Sequence, residues 1–316
     1  GVITMQEIIN ADSFHEDYSQ SSNALFHFMR QQSFLDFALQ KKALFPRYCV
    51  EDVAYLDLMN DGIPFREIAV LQKCFCDIPL HKITLQTATN VVDDETHKPV
   101  SCDTSHTGCY GKYAVAFSKE WGERHGLQPI HYLNKKSHYT RDIKATFSCA
   151  ISMDELPDDI ASDVLTRLAF VKPLRGKMEG VFEIEGTPRN ISMYKNFYDE
   201  QEWRYVPSPD ALSKLSTGAA IDLYPIIANP YELGWRNEGF LNKQSELFVQ
   251  PPFEALRLDF DYSELRYIIV PDEQARKDTI NLILQLPCEN FLTDKIEERC
   301  LLISKILVLR EIRKDW

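Results

Sequence analysis

Asn196-Phe-Tyr-Asp-Glu-Gln-Glu-Trp-Arg-Tyr-Val-Pro207 is the stretch around which the rest of the chain is organised. Read as one strand with alternating faces, it places Glu200, Glu202 and Arg204 on one side and Gln201, Trp203 and Tyr205 on the other. Two carboxylates two residues apart repel each other unless a cation or a bound substrate needs them, and sharing a site drives one pKa upward. Tyr198, Trp203 and Tyr205 are too large to leave in water, so one face of this strand is expected to be buried. The other face, Glu-x-Glu-x-Arg, then reads as the wall of a cleft. An exposed edge strand with solvated charges is the plain alternative.

The surrounding chain suits an α+β class rather than a strict βα alternation. Leu25-Phe-His-Phe-Met29 reads as a short strand, and the apolar positions 34, 35, 37, 38 and 39 as a helix after it, ending at Phe45-Pro-Arg-Tyr48. Ile68–Ile78 is a second strand, stopped by Pro79. Residues 86–109, rich in Thr, Asp, Ser and His, read as a long loop. Gly111–Ser118 reads as a strand whose Ser118 caps the helix Lys119–His125, and Pro129–Leu133 as a further strand. A helical pattern covers 153–168, and strands cover 176–184 and 191–195. Residues 207–255 are broken by prolines and read as an irregular insertion. Leu265–Val270 is a strand, Asp272 caps a helix to about Leu286, and 291–316 reads as one amphipathic C-terminal helix. The expected organisation is an N-terminal arm over 1–21, one domain over 22–290 and that final helix.

Composition narrows the function classes. At 44% hydrophobic and 26% charged, the 316 residues can build an ordinary globular core. No run approaches the roughly 18 apolar residues of a membrane span, and no signal-peptide pattern opens the sequence. The net charge of −12 argues against broad coating of nucleic acid. Without a secretory signal, the eight cysteines are expected to be reduced thiols and the chain cytoplasmic. No Walker or Gly-x-Gly-x-x-Gly loop occurs. Cys74, Cys76, His81, Cys102, His106 and Cys109 crowd one window and offer zinc-type ligands. Their spacing matches no Cys-x-x-Cys knuckle, Cys74-Phe-Cys76 has the alternation of a buried strand, and no metal is expected.

Three segments taken in order carry a resemblance: Leu25-Phe-His27-Phe; Gly111-Lys-Tyr113-Ala-Val-Ala-Phe-Ser118; and Tyr198-Asp-Glu200-Gln-Glu202-Trp-Arg204. From about residue 24 to 290 the chain resembles the AbiGi family of bacterial abortive-infection, phage-defence proteins. That resemblance implies a phage trigger and a cognate partner, an antitoxin or a chaperone. It leaves open whether the chain is the toxin or its neutraliser.

The same segments also resemble the signature of ADP-ribosyltransferases, which implies a mixed sheet core with flanking helices and NAD as substrate. Carried over, it implies Glu202 as the catalytic residue and Glu200 as the accessory acid. It places His27 on the ribose side, with Phe28 next to it where the pattern has Thr or Tyr. The nicotinamide contact stays open between Tyr110, Tyr113 and Ser118, since there is no Ser-Thr-Ser strand. Arg47 is the candidate for the pyrophosphate. A fixed carboxylate would stabilise the oxocarbenium-like centre formed as the glycosidic bond of NAD breaks. The acceptor is RNA, DNA or protein, and Glu202→Gln is expected to remove toxicity from a stably folded chain. The alternative is a non-catalytic antitoxin or binding module. For His27 the plain alternative is a core histidine bonded to backbone.

Overall fold

A computed structural model describes residues 21–60, 62–152, 163–219, 223–228, 243, 245–293 and 295–315. The expected arm lies outside these apart from Ser21, as does the greater part of the expected 153–168 helix. The chain runs through β1 (Ala24–Met29), α1 (Gln32–Lys41), β2 (Ala43–Leu44), β3 (Arg47–Asp52), β4 (Leu58–Asn60), β5 (Ile63–Phe65) and the long β6 (Glu67–Cys76). Then come β7 (Ala88–Asp93), α2 (His106–Tyr110), β8 (Tyr113–Ser118), α3 (Lys119–Arg124), β9 (Gln128–Pro129), β10 (His131–Leu133) and α4 (His138–Ser152). β11 (Val171–Pro173) precedes the hairpin of β12 (Arg175–Ile184) and β13 (Thr187–Asn196). A 3-10 turn, Phe197–Glu200, leads into β14 (Glu202–Tyr205). The last part holds α5 (Pro209–Ala219), β15 (Ile226–Ala228), β16 (Leu258–Asp259), β17 (Leu265–Val270), α6 (Glu273–Gln285), α7 (Lys295–Ser304), β18 (Ile306–Val308) and α8 (Leu309–Asp315).

Among the described residues, nine strands form the central sheet, in the order β18-β17-β8-β1-β6-β14-β9, with β3 and β15 also pairing with β6. The expected mixed α+β architecture is what forms. β6 is the axis: its first half pairs with β3 and β15, its last residues with β14 and β1. A separate three-stranded sheet has the order β12-β13-β7.

Strand alternation splits the central sheet into two chemically different faces. Leu25 and Met29 of β1, Phe75, Val115, Phe117 and Trp203 share one face with Leu35 and Leu39 of α1, Trp121 of α3 and Ile283 of α6. Ala24, Phe26 and Phe28, the intervening residues of β1, share the other with Cys76, Ala114, Ala116, Ile83 and Ile312 of α8.

The capping expectations hold. Ser118 accepts from Trp121 N–H at 3.2 Å, and Asp272 accepts from the N–H groups of Gln274 and Ala275, each at 3.0 Å. Several expected boundaries do not. The first helix ends at Lys41, ahead of the expected Phe45–Tyr48, and residues 47–52 form β3, with Tyr48 buried and the segment paired along β6. The 86–109 segment contains β7, which pairs with β13, and α2. The 129–133 segment splits between two sheets, with β9 beside β14 and β10 beside β11. The 207–255 insertion carries α5 and β15. The final helix is interrupted at Ile306-Leu-Val-Leu309, four successive apolar residues without helical spacing. There β18 adds a parallel strand to β17.

Gly111 shows how tightly β8 is seated against β1. Its φ is +128°, and a Cβ there would lie 2.0 Å from the Met29 carbonyl oxygen. Gly111→Ala is expected to lower stability by about 2 kcal/mol or more. Thermal unfolding of the soluble variant checks this, and an unchanged midpoint would contradict the close approach.

Candidate functional site

The Asn196–Pro207 segment is not one strand. Gln201 adopts left-handed backbone, φ 44°, between the 3-10 turn that carries Glu200 and the strand that begins at Glu202. Tyr198 is exposed rather than buried, whereas Trp203 is buried as expected. Despite the turn, Glu200, Glu202 and Arg204 all point into the interior, and each is at most 5% exposed. The expected cleft wall is a sealed layer.

Cations from distant elements meet the two glutamates there. Lys172 of β11 reaches Glu200 Oε2 at 2.9 Å and Glu202 Oε2 at 3.0 Å. Lys195 of β13 reaches Glu200 Oε1 at 2.9 Å. Arg204 Nε donates to Glu202 Oε1 at 2.6 Å, its Nη2 to Glu202 Oε2 at 3.2 Å, and its Nη1 to the Ala169 carbonyl at 2.7 Å. Arg204 also pairs with Glu51 of β3 at 3.0 Å, and Gln72 Nε2 donates to the same Glu51 oxygen at 2.7 Å. The Tyr110 hydroxyl donates to Glu200 Oε1 and accepts from Lys195 Nζ at 3.1 Å. Tyr132 Oη accepts the Glu202 N–H at 2.8 Å.

Three carboxylates, Glu51, Glu200 and Glu202, thus face three cations, Lys172, Lys195 and Arg204. Every side-chain oxygen of Glu200 and Glu202 already accepts from a cation or a phenol. This inverts the expected pKa effect. Burial pushes the Glu200 carboxyl up, but Lys172 and Lys195 together outweigh it and hold it below the usual range. For Glu202 burial is again the largest influence, and Arg204 with Lys172 outweighs it. Neither glutamate is a raised-pKa acid. Burial and the neighbouring Glu200 push the Tyr110 phenol well above its ordinary value.

The other expected site residues do not gather here. Cα partners across a ladder share a face, so the pairs Glu202–Cys76 and Phe26–Cys76 put Glu202 on the face of Phe26. His27, one residue on, faces the opposite side, where its Nδ1–H donates to the Cys74 carbonyl at 2.9 Å and its ring lies 5.6 Å from Phe75. That is the backbone-bonded histidine of the plain alternative. Its pKa is pushed well down, first by burial and then by Lys73. Tyr113 pairs with Met29 and packs on that same far side. Ser118 is engaged as the α3 cap. Phe28 is on the glutamate side, packed near His106. Arg47 is exposed on β3 opposite Gln72. Of the expected set, Tyr110, Glu200 and Glu202 come together.

Sequence reading missed Lys172, Lys195, Glu51, Tyr132 and the burial of His106. Lys195 was detectable, since it continues the Ile191, Met193 phase of a strand and so had to be buried with them. Lys172 and Glu51 sit in short segments where alternation gives no contrast. Among the described residues, no group of three or more His, Cys, Asp or Glu side chains is placed to hold a metal ion. Cys74 and Cys76 instead alternate along β6, and burial pushes both thiols well above the ordinary value. No described helix is long and apolar enough to cross a membrane.

Fold and site together define a mixed α+β protein whose principal polar cluster is largely buried and internally neutralised. A family model described as "Putative abortive phage resistance protein AbiGi, antitoxin" matches residues 92–271. The chain belongs to this AbiGi family. It is similar to the abortive phage resistance protein AbiGi of Lactococcus lactis subsp. cremoris, with 29% identity over 283 residues that cover 87% of this chain and 100% of that protein. No solved structure matches it significantly.

Removing one member of a buried ion network leaves its partners uncompensated, which costs about 3–5 kcal/mol. Glu202→Gln strands part of the charge of Arg204 and Lys172, so it is expected to destabilise the fold by about that much. Chemical denaturation checks this, and a variant as stable as wild type would contradict the network.

His106 adds an acid sensitivity. Both of its ring nitrogens lack a hydrogen-bond partner among the described residues, and burial, then Lys195, lowers its pKa to about 4 from 6.5. The unfolded chain therefore takes up this proton first, and stability falls as pH drops from 6.5 toward 4, by up to about 3 kcal/mol. The glutamates, depressed in the folded state, add a further loss as pH falls below 4.5. His27, whose pKa is also lowered by burial, adds to the same loss. His106→Phe, which replaces unpaired nitrogens with carbon, is therefore expected to lessen the slope of the stability–pH curve between 6.5 and 4 without abolishing it, and to leave the lower portion in place.

Proposed function

We propose that this chain acts by binding rather than by bond chemistry, as the neutralising, antitoxin-like member of an abortive-infection system that holds a cognate partner in check. The observation that carries this reading is that every oxygen of the buried Glu-x-Glu carboxylates is already engaged by a cation or a phenol. A catalytic carboxylate must offer an oxygen to the ribose or to the developing cation. Here each oxygen of Glu200 and Glu202 is held by Lys172, Lys195, Arg204 or Tyr110. His27 and Tyr113, which an NAD-cleaving site would place beside them, are on the other face of the sheet. The family description names an antitoxin, in keeping with a macromolecular partner. The setting that fits eight unpaired cysteines is the reducing cytoplasm.

The ADP-ribosyltransferase reading, with NAD as substrate and a nucleic-acid or protein acceptor, rests on the ordered motifs and on the meeting of Tyr110, Glu200 and Glu202. One experiment separates the two. Purified protein is incubated with labelled NAD and a cell lysate, and the chain is expressed alone in the same host. Binding alone predicts harmless expression, no bound label and no released nicotinamide. Label transferred by wild type, and lost in a Glu202→Gln variant that remains folded, would overturn it.

A further inference from the structure

The hairpin of β12 and β13 turns through Glu185 and Gly186, with φ of +50° and +76°. Two residues of positive φ form the two-residue turn that matches strand twist, and the residues flanking it, Ile184 and Thr187, exchange backbone hydrogen bonds. Bonded and non-bonded pairs then alternate along the ladder. The N–H and C=O groups of Arg175, Lys177, Glu179, Val181 and Glu183 therefore point away from β13. Among the described residues no strand pairs with that edge, and the side chains of all five are exposed. A ten-residue edge with free backbone groups is a ready template for another strand.

We infer that β12 pairs antiparallel with β12 of a second copy of this chain, joining two three-stranded sheets into one. The charge pattern selects the occupant and the register. With Gly180 on the two-fold axis, Lys177 stands opposite Glu183 of the second copy, while Arg175 comes level with the turn that follows Ile184. Glu179 faces Val181, and symmetry repeats each pair. The outward-facing backbone groups then meet outward-facing groups. On the inner side Met178 stands opposite Phe182 of the second copy. Sliding the copies two residues one way keeps an attraction, Arg175 opposite Glu183, but sets Glu179 against Glu179, and two residues the other way sets Glu179 against Glu183 twice; the register centred on Gly180 opposes no like charges. Gly180 leaves the axis free of a Cβ where the two strands are nearest. In the isolated chain Lys177 pairs with Glu179 of its own strand, and this exposed contact is exchanged on pairing.

Sedimentation equilibrium of the full chain tests this with two variants. Wild type is expected to approach twice its 36.6 kDa as concentration rises. Lys177→Glu, which sets like charges opposite each other at both ends of the ladder, is expected to stay at the single mass with an unchanged circular dichroism spectrum. The double exchange Lys177→Glu with Glu183→Lys is expected to restore the doubled mass. Wild type that remains single at every attainable concentration overturns the pairing. So does a Lys177→Glu protein that dimerises as wild type does, or a double variant that fails to recover.

Discussion

Six ionised side chains, three of each sign, of which Glu200, Glu202, Lys195 and Arg204 are buried and Lys172 and Glu51 largely so, set the constraint on which the rest of the fold depends. They come from places far apart in sequence: Glu51 on β3, Lys172 on β11, Lys195 on β13, and the Glu200–Arg204 segment. In a low-dielectric interior a single unpaired charge is far more expensive than the net gain from pairing it, so the six must arrive together or not at all. That couples the central sheet to the β10–β11 pair and to the β12–β13 hairpin more strictly than apolar contact would, because apolar surfaces tolerate sliding and paired charges do not. Tyr110 and Tyr132 extend the same demand to α2 and β10.

Saturation of the carboxylates also bears on mechanism. The geometry of two acids and a nearby phenol would serve an active site if one cation were missing. With Lys172 shared between both glutamates and Arg204 clasping Glu202 through two nitrogens, each oxygen that would meet a substrate already has a charged partner or a phenol. Exchanging those partners for a substrate would mean parting buried ion pairs. The same residues that suggest chemistry in a one-dimensional reading also tie β11, β13 and β14 together in three dimensions.

How much of this was legible in the sequence depends on the range of the signal. Local, periodic features were readable: β1, β6, β8, β17, the Ser118 and Asp272 caps, and the α+β class. The burial of Glu200 and Glu202 as a pair was half-readable, because Trp203 forces one face inward but says nothing of what meets the other. The left-handed turn at Gln201 was hidden, since no glycine marks it. The faces of His27 and Glu202 could not be compared without knowing that both strands flank β6, a topological fact with no local trace. The C-terminal strand was misjudged for a different reason. Ile306–Leu309 continues an apolar run, and only its loss of helical spacing separates strand from helix.

The hairpin joins the closed interior to the open surface. β13 faces inward with Ile191, Met193 and Lys195, and Lys195 delivers its charge to Glu200. β12, one strand further out, takes no part in the network. A strand intended only to discourage neighbours would gain most from charges of one sign, since any antiparallel copy would then be repelled in every register. The edge of β12 instead carries basic residues at its start and acidic residues toward the turn, an order that repels a parallel copy and attracts an antiparallel one. The network thus also anchors β13, the strand next to β12, through Lys195, and so holds the strand from which this edge is presented.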